Sequence, residues 1–395
     1  MKPFEIKNDV YWCGALHPDL RVFDIIMTTK NGSTYNSYFI NDENKVVIDT
    51  VKEKFSEPYL EHLDSLGTLE DIDYIVVQHN EPDHSGSLTA LLDAAPHAKI
   101  VCSKGAVKYV SNIINRDADI LPVRNGDTLD IGQRTLQFVV APNVHWPDTM
   151  MTFSEQDSIL FPCDMFGAHF CDSRMFNDKI TGNTWPDFQD YFDKIMRPFK
   201  KNVRKALEKI EPLQYDILAP SHGPILRSEI EKYVDAYDKW SAPLPQNDPP
   251  LMLIYFASAH GNTEIMANKI AEGARSRNLD VQVYDAENLN VNDHLARIEK
   301  ADALVLGSPT INNDAVKPVW DVVNSLATID VKGKLAASFG SYGWSGEAVK
   351  MMDERLSALK FKVPVEGLTN VLVPGKEELQ AGYDFGVAIA DNLLK

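Results

Sequence analysis

Three observations predict a two-domain α/β protein: a length of 395 residues, a proline-rich break at 241–250, and a different rhythm on either side of it. A chain this long exceeds one ordinary core. The break, Ser241-Ala242-Pro243-Leu244-Pro245-Gln246-Asn247-Asp248-Pro249-Pro250, carries four prolines and separates expected domains 1–245 and 246–395. Upstream, strand-like runs at 10–15, 35–40, 45–49, 74–77, 99–102, 136–140, 159–161 and 215–218 are interrupted by helical patterns at 85–95, 104–115 and 187–210. Such interleaving implies a sandwich of sheets covered by helices. Downstream, strands at 251–256, 281–285, 303–307, 335–340 and 371–373 alternate with helices at 264–277, 294–300, 316–327, 348–359 and 377–393. Five strands, each followed by a helix, describe a doubly wound parallel sheet.

Composition narrows the function. A formal charge of -18 argues against nucleic acid or an anionic membrane as partner, because the long-range field is repulsive. It leaves a bound phosphate open, since screening confines that field to roughly 8 Å and backbone N–H donors act locally. The start, Met1-Lys2-Pro3-Phe4-Glu5, is too charged for a signal peptide, and no apolar run approaches a membrane span, so a cytoplasmic location is expected. Cys13, Cys102, Cys163 and Cys171 are dispersed. That spacing excludes a disulfide framework and a rubredoxin-type or iron-sulfur centre.

Seven candidate metal ligands each follow an apolar run. His79-Asn80-Glu81-Pro82-Asp83-His84 succeeds the run ending at Val77, and His145 lies in Pro142-Asn143-Val144-His145-Trp146-Pro147-Asp148. Asp164 closes Ile159-Leu160-Phe161-Pro162-Cys163-Asp164, and His222 follows Ile217-Leu218-Ala219-Pro220-Ser221. All therefore belong to one rim of the sandwich. His79 and Glu81 can aim at one ion, Asp83 and His84 at a second, and the two oxygens of Asp164 can bridge. Mixed imidazole and carboxylate ligation suits iron, zinc or manganese, and the affinity order alone does not choose among them. A lone histidine after a strand is more often a satisfied polar residue; the density of the 79–84 run carries this reading. His169 stands near enough to Asp164 to support the ligands. His17, His62, His97 and His294 read as surface residues, and Cys163 as core.

The second domain opens on Ser258-Ala259-His260-Gly261-Asn262-Thr263, a strand-to-helix turn of small and hydroxyl residues suited to a phosphate at the helix N-terminus. Neither G-x-x-x-x-G-K nor G-x-G-x-x-G occurs, which argues against ATP or a dinucleotide. Two more loops follow strands: Ser308-Pro309-Thr310-Ile311-Asn312-Asn313 and Ser341-Tyr342-Gly343-Trp344-Ser345-Gly346. They converge at the C-terminal edge near the topological switch, where they can enclose an isoalloxazine ring with Tyr342 or Trp344 against it. Asn312 and Asn313 are expected to act through their main chain.

The residues from His79 to His84, with His145, Asp164 and His222, resemble the metallo-β-lactamase signature, but Glu81 replaces the central histidine of zinc hydrolases. The three loops in order resemble flavodoxin. With Tyr35-Asn36-Ser37-Tyr38 and His145-Trp146-Pro147-Asp148, nearly the whole chain is similar to the flavodiiron proteins, or A-type flavoproteins. That resemblance implies an αββα metallo-β-lactamase-like sandwich followed by a flavodoxin-like sheet, with no fused rubredoxin. It implies FMN and two non-haem iron ions, one held by His79, Glu81 and His145, the other by Asp83, His84 and His222, with Asp164 bridging. Water takes the place of His84 in some members. It also implies reduction of O2 to water or of NO to nitrous oxide, with electrons from a rubredoxin-like protein or a reduced deazaflavin coenzyme. The implied assembly is a head-to-tail homodimer or a dimer of dimers, the flavin of one subunit serving the iron pair of the other. A ten-residue linker reaches at most about 33 to 36 Å, which also permits contact within one chain. Four electrons take O2 to two waters, and a diferrous pair with a fully reduced flavin holds that number. Many members carry a histidine after the phenylalanine near the N-terminal strand; here the run is Phe23-Asp24-Ile25-Ile26, expected near the open face of the metals. Two competing readings are a zinc hydrolase with an accessory flavodoxin module, and a flavin electron carrier with a silent scaffold.

Overall fold

Alternation along short strands builds the first domain. Tyr38, Ile40, Val46, Ile48, Val76 and Val101 face one core, while their neighbours Phe39, Val47, Ile75, Val77, Ile100 and Cys102 face another. The computed structural model describes residues 1–67 and 69–395, and the chain divides into two units, Met1–Ala242 and Pro243–Lys395.

In the first unit a seven-stranded sheet runs Phe4–Lys7, Val10–Trp12, Tyr38–Ile40, Lys45–Ile48, Ile72–Val77, Lys99–Ser103 and Ile120–Val123. Its early pairs are antiparallel and its later ones parallel. A five-stranded sheet of Thr128–Asp130, Thr135–Val140, Met150–Ser154, Ile159–Phe161 and Ile217–Leu218 lies over it. Leu136, Phe138, Met150, Ile159 and Phe161 of this second sheet complete the central core. The outer face of the first sheet packs on helices Ser56–Gly67, Leu88–Ala94 and Val107–Ile114. That of the second packs on Trp185–Tyr191, Lys200–Ile210 and Ile230–Ser241. The result is the αββα order, each fully buried Leu, Ile or Phe contributing about 1.5–3 kcal/mol.

Strand directions decide where function can sit. Lys45–Ile48 and Ile72–Val77 are parallel, as are Ile159–Phe161 and Ile217–Leu218. Thr135–Val140 and Ile159–Phe161 are both antiparallel to Met150–Ser154, so they too run together. Within each sheet the strands that precede the candidate ligands therefore end on the same side. Met150 N donates to Gln78 O at 2.8 Å, tying the two sheets together at that rim.

The expected helix at 187–210 is in fact interrupted: Trp185–Tyr191 passes into a wide turn, Phe192–Met196, a tight turn, Arg197–Phe199, and then Lys200–Ile210. Pro198 lacks an N–H and its ring crowds the preceding turn, which breaks the ladder. Strand Met150–Ser154 and helices Ser56–Gly67 and Ile230–Ser241 were not foreseen.

The second unit has the strand order Asp280–Asp285, Leu251–Phe256, Ala303–Ile311, Leu335–Tyr342, Leu368–Val371, all parallel along this path. One face packs on Leu295–Lys300, Lys317–Ser325 and Glu347–Ala358, the other on Asn262–Arg275 and Lys376–Leu393. The last strand starts earlier than 371–373, and Leu372 leaves it at φ 52. Chain order reverses between Leu251–Phe256 and Ala303–Ile311, which places the crevice beside the two loops that follow them. Among the described residues no helix is long and apolar enough to cross a membrane.

Candidate metal centre and phosphate-cradle loops

The structure gathers the seven candidate ligands into two adjoining groups. In the first, His79 Nε2 lies 3.2 Å from Glu81 Oε2 and 3.3 Å from Asp164 Oδ2. His145 Nε2 lies 3.2 Å from Glu81 Oε2 and 3.0 Å from Asp164 Oδ2. In the second, His222 Nε2 lies 3.2 Å from Asp83 Oδ2 and 3.4 Å from Asp164 Oδ1. His84 Nε2 lies 3.2 Å from Asp164 Oδ1 and 3.8 Å from Asp83 Oδ1. Asp164 thus offers one oxygen to each group.

Several of these atoms are buried with no hydrogen-bond partner: both ring nitrogens of His79, both oxygens of Asp83, His84 Nε2 and Asp164 Oδ1. Groups that approach closely without hydrogen-bond alignment point at shared positions between them. Orphaned buried polar atoms are costly, and a metal ion satisfies several at once. The charges agree. Burial opposes charge on His145 and His222, yet hydrogen bonds to Asp164 and Glu81 push His145 up to about 9. The carboxylates of Asp164 and Asp83 beside it push His222 up to about 10. Burial likewise opposes ionisation of Asp83 and Asp164, and the imidazoles nevertheless hold both below the usual carboxylate range. Ion binding deprotonates the imidazoles, and the three carboxylates then leave a negative charge that two divalent cations answer. The donor set fits a pair of ions.

Backbone and side-chain partners aim the ligands. His222 Nδ1 donates to Thr34 O at 2.7 Å, which leaves Nε2 for an ion. Asn36 Nδ2 donates to Pro220 O at 2.7 Å and Gly223 O at 2.9 Å, and Tyr38 OH donates to Pro220 O at 2.7 Å. Through these bonds Asn36 and Tyr38 clamp the loop carrying His222. Asp148 Oδ2 accepts from Asn80 N at 3.0 Å and Asn80 Nδ2 at 2.6 Å, fixing the turn between His79 and Glu81. Thr34 also accepts from Gly223 N through its Oγ1 at 2.7 Å, but its bond to His222 is made by a carbonyl, which carries no sequence signal.

His169 joins neither group. It is buried, its Nδ1 is 3.2 Å from Ser33 Oγ, and its ring packs between Phe23 at 4.5 Å and Tyr191 at 4.8 Å. Burial, with His222 nearby, pushes it down to about 3. Phe23 also meets the edge of His222 at 5.7 Å. The next residues, Asp24 and Ile25, turn through left-handed φ values of 44 and 69, leaving Ile25 93% exposed. Partial burial, then Glu81, push the Asp24 carboxyl up to about 7, so this tip does stand beside the metal groups. His17, His62 and His294 are half-buried rather than surface residues, each with a hydrogen-bond partner.

In the second unit, helix Asn262–Arg275 begins at Gly261, φ 79, with no side-chain cap, so its first turn is open to an anion. Ser258 Oγ accepts from Glu264 N at 3.3 Å, and Thr263 Oγ1 meets Ser341 Oγ at 2.9 Å, joining the first loop to the third. Ser345 Oγ donates to Asn313 Oδ1 at 3.3 Å, joining the third to the second. Thr310 Oγ1 accepts weakly from Ala348 N at 3.4 Å, while His260 is exposed and Pro309 half-buried. A Cβ on Gly346 would stand 2.9 Å from the Tyr342 ring, and Gly343 touches Leu372 in the same way at 3.7 Å. Trp344 is 80% exposed above them.

The ODP family beta lactamase profile matches residues 34–223, and the flavodoxin profile matches 254–386. The "Flavo-diiron protein FprA2" of Clostridium acetobutylicum is 40% identical over 100% of both chains. The chain belongs to the flavodiiron protein family. It is also 33% identical to the nitric oxide reductase of Moorella thermoacetica over 98% of each chain. The rubredoxin oxygen:oxidoreductase of Desulfovibrio gigas superposes with a TM-score of 0.71 and 28% identity, covering 100% of this chain and 99% of that one.

In this flavodiiron chain the second candidate FMN loop depends on backbone that most residues resist. Asn312 and Asn313 sit at φ 53 and 61 between Ile311 and Asp314, which pair across the hairpin. Two successive left-handed residues make a type I′ turn, the two-residue connection that Asn and Gly tolerate. Asn312→Ala should cost about 1–2 kcal/mol and weaken FMN retention, whereas Asn312→Gly should be close to neutral. Thermal melts with a flavin dialysis assay on the two variants check this.

Proposed function

We propose that the protein reduces dioxygen to water and nitric oxide to nitrous oxide with FMN and a diiron pair, using electrons from an external donor. The division of Asp164 between two three-residue groups is the observation that carries this reading. His79, Glu81 and His145 would hold one iron and Asp83, His84 and His222 the other, with Asp164 offering one oxygen to each group. The flavin supplies a two-electron store and the irons supply redox-active Lewis acids when bound. The chain's own part is to fix the spacing of the ions, to keep water from the buried side of His84 and His222, and to leave the Phe23-Asp24 tip as the approach for a small gas. On the flavin side, the first turn of Asn262–Arg275 takes the phosphate, and the loops at 308–313 and 341–346 hold the ring.

The proposed donor is a separate molecule, a reading supported by the dispersed spacing of Cys13, Cys102, Cys163 and Cys171. A rubredoxin-like protein or a reduced deazaflavin coenzyme fits that need. The active form is a head-to-tail homodimer or a dimer of such dimers, working in the cytoplasm. Purified protein should carry FMN and an iron pair per chain. Anaerobic stopped-flow mixing of the reduced protein with O2 or NO should oxidise flavin within turnover time. Zinc in place of iron, or a flavin indifferent to both gases, would end this reading.

A further inference from the structure

His84 has acids on both sides of its ring. Its Nε2 faces Asp164 and Asp83, as above, while its Nδ1 lies 3.2 Å from Asp49 Oδ2. Asp49 is one residue past the strand Lys45–Ile48, buried, and held at a left-handed φ of 53. Its carboxylate also accepts from Gln78 N at 2.8 Å, from Gln78 Nε2 at 3.3 Å and from Ser221 Oγ at 3.4 Å. Gln78 precedes His79 in the run that ends at His84, and Ser221 precedes His222, so two ligand-bearing segments converge on one side chain.

We infer that Asp49 is the positioning residue that makes His84 an ion ligand, by fixing the proton on Nδ1. This rests on reading His84 as a ligand. A carboxylate only accepts hydrogen bonds, so the imidazole must donate from Nδ1, and its lone pair is then on Nε2, aimed between Asp83 and Asp164. With the proton on Nε2 instead, the same ring would turn an N–H toward the ion and could not bind it. Asp49, His84 and Cys163 also bring ligand atoms within 4.8 Å of one another. They form a cage behind His84 and not a third ion site, because both Asp49 oxygens already accept from protein donors.

Asparagine at position 49 keeps the volume and tolerates the left-handed backbone. Its single oxygen would stay on the immobile Gln78 N–H, which turns the amide NH2 toward Nδ1–H and Gln78 Nε2. Donor would face donor, and His84 would relieve the clash by moving its proton to Nε2. Anaerobic titration of the apoproteins with Fe(II) alone, alongside thermal melts, tests this in a cycle of wild type, Asp49→Asn, His84→Ala and the double variant. Asp49→Asn should weaken one ion by about 10- to 100-fold, the range for a partner that orients a ligand. Most of that loss should vanish in the His84→Ala background. An equal loss in both backgrounds, or no loss, overturns the inference. A His84→Ala variant that binds both ions like wild type removes the ligand reading, and this inference with it. Where Asp49→Asn does not fold, imidazole 15N NMR of the zinc-loaded wild type decides: the expected result is a His84 proton on Nδ1, slow to exchange, and a proton on Nε2 is the contrary one.

Discussion

Asp164→Ala is expected to purify with its flavin but almost without iron. One carboxylate oxygen lies 3.0 Å from His145 and 3.3 Å from His79, the other 3.2 Å from His84 and 3.4 Å from His222. Its removal takes a donor from both groups at once. It also removes the charge that lets four imidazoles crowd together, with ring centroids 4.4 Å apart for His79 and His84 and 5.3 Å for His84 and His222. The loss of ion affinity should exceed the roughly 100-fold upper range for outer partners, and reductase turnover should fall to the flavin's own oxidation. Asp164→Asn is the sharper probe, because its amide offers one acceptor oxygen and can serve at most one half. Iron per chain and O2 or NO consumption measure both variants. If Asp164→Ala kept an iron pair and its turnover, the bridging assignment would be wrong.

The parts of this centre that sequence exposes are those with short spacing. His79, Glu81, Asp83 and His84 occupy six consecutive positions, so their common purpose is legible without a fold. His145, Asp164 and His222 are legible because each follows an apolar run, and a run that ends a strand delivers its next residues to a rim. Orienting contacts follow no such rule. His222 is aimed by the carbonyl of Thr34, 188 positions away, and any residue has a carbonyl. Asp49 reads locally as a polar residue after a strand, and its role depends on Gln78 and His84 arriving from one other segment and Ser221 from another. The same limit applied to secondary structure. Met150–Ser154 is buried at every position, so it lacks the alternation that marks a half-exposed strand. Helix Ser56–Gly67 buries only Tyr59 and Leu63 and opens on Ser-Glu-Pro, a weak apolar signal with a turn-like start. At 187–210 the apolar spacing persists through Pro198, and periodicity alone cannot see the missing N–H.

Gly386→Val is expected to strip the flavin while sparing the iron. Helices Asn262–Arg275 and Lys376–Leu393 touch backbone to backbone: a Cβ on Gly386 would stand 2.0 Å from Ile270 O, and one on Gly273 would stand 2.0 Å from Tyr383 O. These obstacles are carbonyls within helices and cannot rotate aside, so the helices must part. The cost should reach about 3 kcal/mol or more, the upper end for overpacked interiors. Separation opens the core formed by Met266, Ile270, Phe385 and Ile389. It also tilts the helix whose first turn, after Gly261, is the proposed phosphate site, so flavin loss should precede unfolding of the unit. Iron should stay, because the ligand groups all lie in Met1–Ala242 with cores of their own. The protein would then bind its ions yet fail to pass electrons from its donor to either gas. Flavin absorbance, iron content and a melt resolving the transition of the 243–395 unit report the three effects separately. Full flavin occupancy with an unchanged melt would mean that the two helices separate freely, and that the glycines are not what holds the cradle in place.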